Sequence, residues 1–294
     1  MHVLNQTPPY NLFGFEEQDY NAARIAVLPV PYDSTVSYRS GARNGPRAII
    51  EASRGMELYS EELGIDVSKV GIYTLEELAP DFSSPESMVN RIKKEVDVIL
   101  QDSKFPVLIG GEHTISLGAI KSIAGREKEF SVLQFDAHSD SRDEFMGAKV
   151  CHATVMARAR EIAKGCFSVG VRSVDERSAG EHEKEILFMK DMGGMSAKEI
   201  AEAISKNTES SIYLTVDLDV LDPSEMPSVG TPEPDGMRFR ELVDVVKELA
   251  KTKRFVGMDF TELSPIPGLI APDYLAAKLI YLAIGSIFIK NARV

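Results

Sequence analysis

Two cysteines in 294 residues, Cys151 and Cys166, are too few for a disulfide framework or a thiolate metal cage. Basic residues are scarce beside acidic ones, and the formal net charge is -12. That balance argues against a nucleic-acid partner and leans toward cationic ligands. No internal repeat or low-complexity linker divides the chain, so one domain over residues 1–294 is expected. The stretch MHVLNQTPPYNLFGF has no charged segment leading into an apolar one, so no secretory signal is expected, and a cytoplasmic location is. The most apolar late run, Leu279–Ile289, is about half the length a bilayer requires. It follows Lys278 and reads as the buried face of a C-terminal helix, with no membrane partner. His2 and His182 read as surface residues.

What is present is a globular composition, 44% hydrophobic and 27% charged, in a chain long enough to bury a sizeable core. Short apolar runs predict strands at Arg24–Val30, Val70–Tyr73, Pro106–Gly110, Ser131–Asp136, Phe167–Val171, Ile186–Met189, Ile212–Val216 and Phe255–Asp259. Amphipathic segments lie between them. In SPESMVNRIKKEVDVIL, Ser84 caps, Pro85 takes the first helical position, and Met88, Val89, Ile92, Val96 and Ile99 share a face. Ser196 and Glu199 have capping-box spacing. Strands that alternate with helices, and are apolar along their length, predict a three-layer αβα fold with a mostly parallel sheet of about eight strands. Ligands of such sheets bind beyond the carboxyl ends of the strands.

Three segments put polar side chains there. PVLIGGEHTIS ends an apolar run in Gly110 and Gly111, glycines that suit a tight strand-to-helix turn, followed by Glu112 and His113. VLQFDAHSDSRDE places Asp136, His138 and Asp140 at alternate positions, on one face of an extended chain. IYLTVDLDVLDP does the same with Asp217 and Asp219. Gathering four carboxylates at one place costs several kcal/mol for each unpaired buried charge, and two divalent cations would cancel the combined formal charge. Asp136 and Asp140 would lie roughly 13 Å apart in an extended strand, so they can share an ion only if the chain curls. An oxygen-rich set with about one histidine per ion suits manganese better than zinc or iron.

With SYRSGARNGPRAI (Ser37–Ile49), GGEHT, DAHSD, CHATV, DLDVLDP, GTPEPDG and GMDFTELSP (Gly257–Pro265) in this order, the chain resembles the ureohydrolase family of arginases and agmatinases. The resemblance implies two Mn2+ ions. One would be held by His113, Asp136, Asp140 and Asp217, the other by Asp136, His138, Asp217 and Asp219, with Asp136 and Asp217 bridging. It places Glu262 where the family's glutamate meets the substrate guanidinium, and His152 where its proton-handling histidine lies. It also implies a homotrimer or homohexamer.

That chemistry is coherent. A guanidinium carbon is a poor electrophile, and two divalent ions activate water against it at neutral pH. A carboxylate pairs with the guanidinium and holds it in place. Arginases carry an Asn two residues after the last aspartate of this motif; here Arg142 stands there, followed by Asp143 and Glu144, which restore negative charge. A decarboxylated, cationic guanidino substrate is therefore expected: agmatine, cleaved to putrescine and urea in polyamine biosynthesis. Alternatives are arginine, aminopropylagmatine, guanidinobutyrate or formimidoylglutamate. Outside this family, the competing expectations are attack on a guanidine carbon by Cys151 or Cys166 and a non-catalytic polyamine sensor. SYRSGARNGPRAI reads as a polar loop feeding a helix at Pro46, its three arginines facing the site or a neighbouring subunit.

Overall fold

Apolar runs bounded by polar or glycine residues form one sheet in the computed structural model, which describes residues 7–289. Its strands are β1 (Ile25–Val30), β2 (Ile72–Thr74), β3 (Phe105–Gly110), β4 (Phe130–Phe135), β5 (Gly165–Val171), β6 (Ile186–Phe188), β7 (Ser211–Asp217) and β8 (Arg254–Thr261). They lie in the order β2-β1-β3-β8-β7-β4-β5-β6, and every neighbouring pair is parallel. All eight expected strands are present, with ends within two residues of their predicted positions. A two-residue antiparallel hairpin, Tyr59–Ser60 with Ile65–Asp66, is an addition too short to carry a periodic signal.

Successive strand residues face opposite layers. In β1, Ile25 and Val27 join the core under α1 (Gly45–Ser53), α6 (Ala197–Asn207), α7 (Phe239–Thr252) and α8 (Ala271–Phe288). Ala26, Leu28 and Val30 join the core under α2 (Pro85–Gln101), α3 (Ser116–Ala124) and α4 (Val155–Arg160). Helix α2 starts as its sequence dictates: the Ser84 hydroxyl accepts from the Ser87 amide at 3.1 Å, and the five predicted apolar residues are buried. The Ser196–Glu199 capping box opens α6. Helix α8 is longer than the run Leu279–Ile289 suggested, because Ala271 to Lys278 continue it at the N-terminal side. It is long and apolar enough by length and composition to cross a membrane, yet Leu279 to Gly285 are enclosed against α1 and α7.

Strand register levels the functional positions. Phe135 of β4 pairs with Val216 of β7, so Asp136 and Asp217 leave adjacent strands at the same height. Asp217 in turn pairs with Thr261 of β8, and Phe260 with Ile109 of β3. His113 and Glu262 thus follow directly beyond the ends of β3 and β8. Gly111 is required there by close approach: a Cβ would lie 1.8 Å from the Tyr32 carbonyl oxygen.

Candidate metal and substrate site

Three of the four central strands, β3, β7 and β4, deliver six donors to one buried place, and the fourth, β8, delivers Glu262 beside them. Asp136 and Asp217 leave adjacent strands about 4.8 Å apart. Directly opposed like charges on neighbouring strands are destabilising without a counter-charge. After β4 the chain curls as sharing an ion requires: Asp140 adopts a left-handed φ of 44°, and its carbonyl accepts from the Met156 amide at the start of α4, 2.9 Å away. That turn brings Asp140 back beside Asp136.

Two groups result, each with donor atoms within 4.8 Å of one another: His113 with Asp136 and Asp140, and His138 with Asp136 and Asp219. Asp136 belongs to both. His113 Nδ1 lies 3.1 Å from Asp136 Oδ2, 3.0 Å from Asp140 Oδ2 and 3.5 Å from Asp217 Oδ2. His138 Nδ1 lies 2.8 Å from Asp219 Oδ2 and 3.5 Å from Asp136 Oδ1. Two further carboxylate oxygens accept from backbone donors: Asp217 Oδ1 from the Asp219 amide at 2.9 Å, and Asp219 Oδ1 from the Ala137 amide at 3.0 Å.

The residues fit a divalent cation on one observation above all. His113 Nδ1 is buried with no hydrogen-bond partner, although three carboxylate oxygens surround it. The other ring nitrogen explains this. Thr215 donates its hydroxyl proton to Asp259 Oδ1 at 2.7 Å, so its oxygen must accept from His113 Nε2 at 2.8 Å. With the proton on Nε2, Nδ1 carries the lone pair that a metal takes. Oxygen and imidazole donors without sulfur suit manganese or a similar hard-to-borderline ion.

Protein charges alone strain the group. Burial lowers the basicity of His138, but the Asp219 and Asp136 carboxylates outweigh it and push its pKa up to about 12. His113 is likewise raised, by Asp136 and Asp140 against burial. Burial first, then the charge of Asp136, raises Asp140 to about 6. Burial and neighbouring carboxylates raise Asp217 and Asp219 as well. Asp136 alone moves down, because its close contacts with the His113 and His138 rings overcome burial.

The cluster opens onto a cavity of about 210 Å3. Glu262 and His152 line it, together with Ser37, Arg39 and Arg142. Glu262 is buried rather than a solvated loop residue, and its left-handed φ of 68° turns it back over the site. Its Oε1 accepts from the His113 amide at 2.7 Å. Burial, then the charge of Glu112, raises its pKa well above the usual range, so a cationic guest is favoured beside it. His152 opens a single helical turn, His152–Thr154, and contacts Thr35 and Ser37. Burial, then the charges of His113 and His138, lowers it to about 4.

The charge balance around Arg142 differs from the sequence expectation. Asp143 turns away to pair with Arg158, and neither it nor Glu144 lines the cavity. Asp175 is the acid beside Arg142, 3.9 Å away, and Phe145 lies under its guanidinium. Cys151 packs against Ala148 and Thr154 and Cys166 is buried in the sheet, so neither sulfur faces the cavity. Burial raises both thiols, Cys166 to about 12, which is opposite to what a nucleophilic cysteine needs. His182 is half-buried beside Glu185 rather than fully at the surface, and His2 lies outside the described residues. Of the three loop arginines, Arg39 faces the cavity, Arg43 pairs with Asp33 and Arg47 with Glu77.

Supporting residues escaped the sequence reading. Gln134, Thr215 and Asp259 form one level of the sheet, two residues below the ligand row and on the same face. Gln134 Nε2 donates to Asp136 Oδ2 at 2.6 Å, with its amide oriented by Ser168. A polar residue inside an apolar strand, two positions before a candidate ligand, was the available signal.

Fold and site together define an αβα hydrolase with a buried carboxylate–imidazole cluster that could hold metal ions. The chain belongs to the arginase family, whose model matches residues 23–285. It is 36% identical over 279 residues to the N(1)-aminopropylagmatine ureohydrolase of Synechocystis sp., covering 90% of each chain. It is 32% identical over 256 residues to the agmatinase of Bacillus subtilis, covering 84% of this chain and 86% of that protein. The solved agmatine ureohydrolase of Thermoplasma volcanium superimposes with a TM-score of 0.85 at 30% identity, over 95% of this chain and 94% of the other. The protein is a ureohydrolase acting on guanidino compounds.

Proposed function

We propose that this ureohydrolase cleaves a linear guanidino-amine, agmatine or its N1-aminopropyl derivative, to urea and the corresponding di- or triamine. The observation that carries the reading is Glu262, a buried carboxylate in the same cavity wall as the two His/Asp groups. A guanidinium bound against it stands directly over the cluster. The 36% identity to an aminopropylagmatine ureohydrolase, against 32% to an agmatinase, moves the sequence expectation of agmatine toward the longer amine. Agmatine remains the second reading, supported by the Thermoplasma likeness. Either product belongs to polyamine synthesis. We place the enzyme in the cytoplasm as a homotrimer or homohexamer.

His113, Asp136, Asp140 and Asp217 would hold one Mn2+ ion, and Asp136, His138, Asp217 and Asp219 a second. Bound there, divalent ions supply Lewis-acid activation of water and stabilise developing negative charge. The protein contributes the rest. Glu262 fixes the guanidinium by a charge-assisted contact, which converts an encounter into a positioned reaction. His152 moves a proton between the reacting water and the departing amine.

The test is urea release by Mn2+-loaded protein from aminopropylagmatine, agmatine, arginine and guanidinobutyrate. Aminopropylagmatine should give the highest kcat/KM and agmatine the next. Faster release from arginine or guanidinobutyrate would overturn the assignment.

A further inference from the structure

Glu112, next to His113 in the chain, is buried and lies outside both donor groups, yet it is densely bonded. Its Oε2 accepts from the amides of Ser34 at 2.6 Å and Thr35 at 2.7 Å. Its Oε1 accepts from the hydroxyls of Thr35 at 2.7 Å and Thr114 at 2.6 Å. Four donors fill one carboxylate, and they lock the loop that carries Thr35 to the strand end that carries His113.

The proton count at Thr35 has a consequence for His152. A threonine hydroxyl has one proton and two lone pairs. Thr35 gives its proton to Glu112, so toward every other neighbour its oxygen can only accept. Two such neighbours come from one residue: the His152 amide at 3.1 Å and His152 Nδ1 at 3.1 Å. Nδ1 must then carry a proton for the second contact to be attractive. The opposite nitrogen, Nε2, lies 3.3 Å from Ser37 Oγ, and Ser37 lines the cavity.

We propose that Thr35, held by Glu112, is a positioning residue that fixes His152 as the Nδ1–H tautomer and leaves Nε2 as a proton acceptor at the cavity. His152 therefore enters the reaction as a base. Nε2 takes the proton released when water adds to the guanidinium carbon, while Nδ1 keeps its own proton on Thr35. The resulting imidazolium returns the same proton from Nε2 to the departing amine nitrogen, and the ring ends as it began. A ring free to hold its proton on Nε2 could not take that first proton there. The catalytic consequence rests on the guanidine-hydrolase reading; the tautomer does not.

The deciding measurement is 15N NMR of histidine-labelled full chain, both metal-free and loaded with diamagnetic Zn2+, with His152→Ala identifying the resonances. The expected spectrum shows a protonated Nδ1 and a pyridine-type Nε2 for His152 in both states; a proton on Nε2 in either state overturns the proposal. Thr35→Val should shift the tautomer signal toward Nε2–H and lower kcat about tenfold or more, with KM little changed. Thr35→Ser, which keeps the hydroxyl, should restore both. A valine variant with wild-type tautomer and kcat also overturns the proposal, and if that variant misfolds the wild-type spectrum still decides. The spectrum needs no substrate, so absence of urea release would count against the function and not against this assignment.

Discussion

His113 Nδ1 and Asp140 Oδ2 face each other at 3.0 Å without forming a hydrogen bond. With the imidazole proton held on Nε2 by Thr215, two lone pairs meet in a buried place. Such a contact is stable only if something positive joins it. In the metal-free protein a second proton on the ring does so, favoured against burial by the Asp136 and Asp140 carboxylates. A divalent ion bound by both groups does so fully.

The competition between protons and ions sets a pH dependence. His138, raised from its usual value near 6.5 to about 12, stabilises the metal-free fold fully below about pH 6.5 and progressively less as pH rises toward 12. Asp140, raised to about 6, keeps a proton in the fold that the unfolded chain has released, so metal-free stability falls as pH rises from about 4 to 6. Ion binding expels these protons and runs the other way. The rise in Tm on adding Mn2+ should therefore be larger at pH 8 than at pH 5, measured by calorimetry. A Tm gain that is constant or shrinks with pH would contradict the metal assignment.

Asp136 offers an oxygen to each donor group, Oδ2 toward His113 and Oδ1 toward His138. Asp136→Asn removes the charge shared by both and should release at least one ion, with urea release falling at least about a hundredfold. Elemental analysis of dialysed protein checks the first part. Full occupancy in this variant would sink the bridging role.

Thr215 is the hydroxyl between His113 Nε2 and Asp259. Thr215→Val keeps the shape and removes the link that fixes the ligand nitrogen. Metal affinity should drop about 10–100-fold, read from a chelator titration, while all six ligands stay in place. Unchanged affinity would mean that packing alone orients the ring.

The strands were legible because each is an apolar run bounded by turn or polar residues. The convergence of the six candidate donors was legible because three such runs end in acids and imidazoles together. A single aspartate there could as well cap a turn, as Asp217 also does. What lay beyond reach depends on register or on distant pairing. Asp259 reads as an ordinary interruption of β8 until Thr215 is placed beside it. Thr35 and Glu112 are 77 residues apart, and no local spacing joins them. The charge of Asp143 was counted toward the cavity because it follows Arg142, whereas a turn hands it to Arg158. Composition gives the sum of charges in a loop, and only the backbone path gives their direction.

The candidate ligands spring from three of the four middle strands, β3, β7 and β4, each flanked by paired strands on both sides and covered by helices on both faces. Strands so enclosed belong to the most stable units of a domain and open last. Arg39, Arg142 and Phe145, which border the outer part of the cavity, sit instead on connecting segments. The candidate reaction centre is thus anchored on the most enclosed strands, while connecting segments line the rest of the cavity. A lineage on this fold can trade one amine for a longer one by changing loops, and leave the machinery that makes urea untouched.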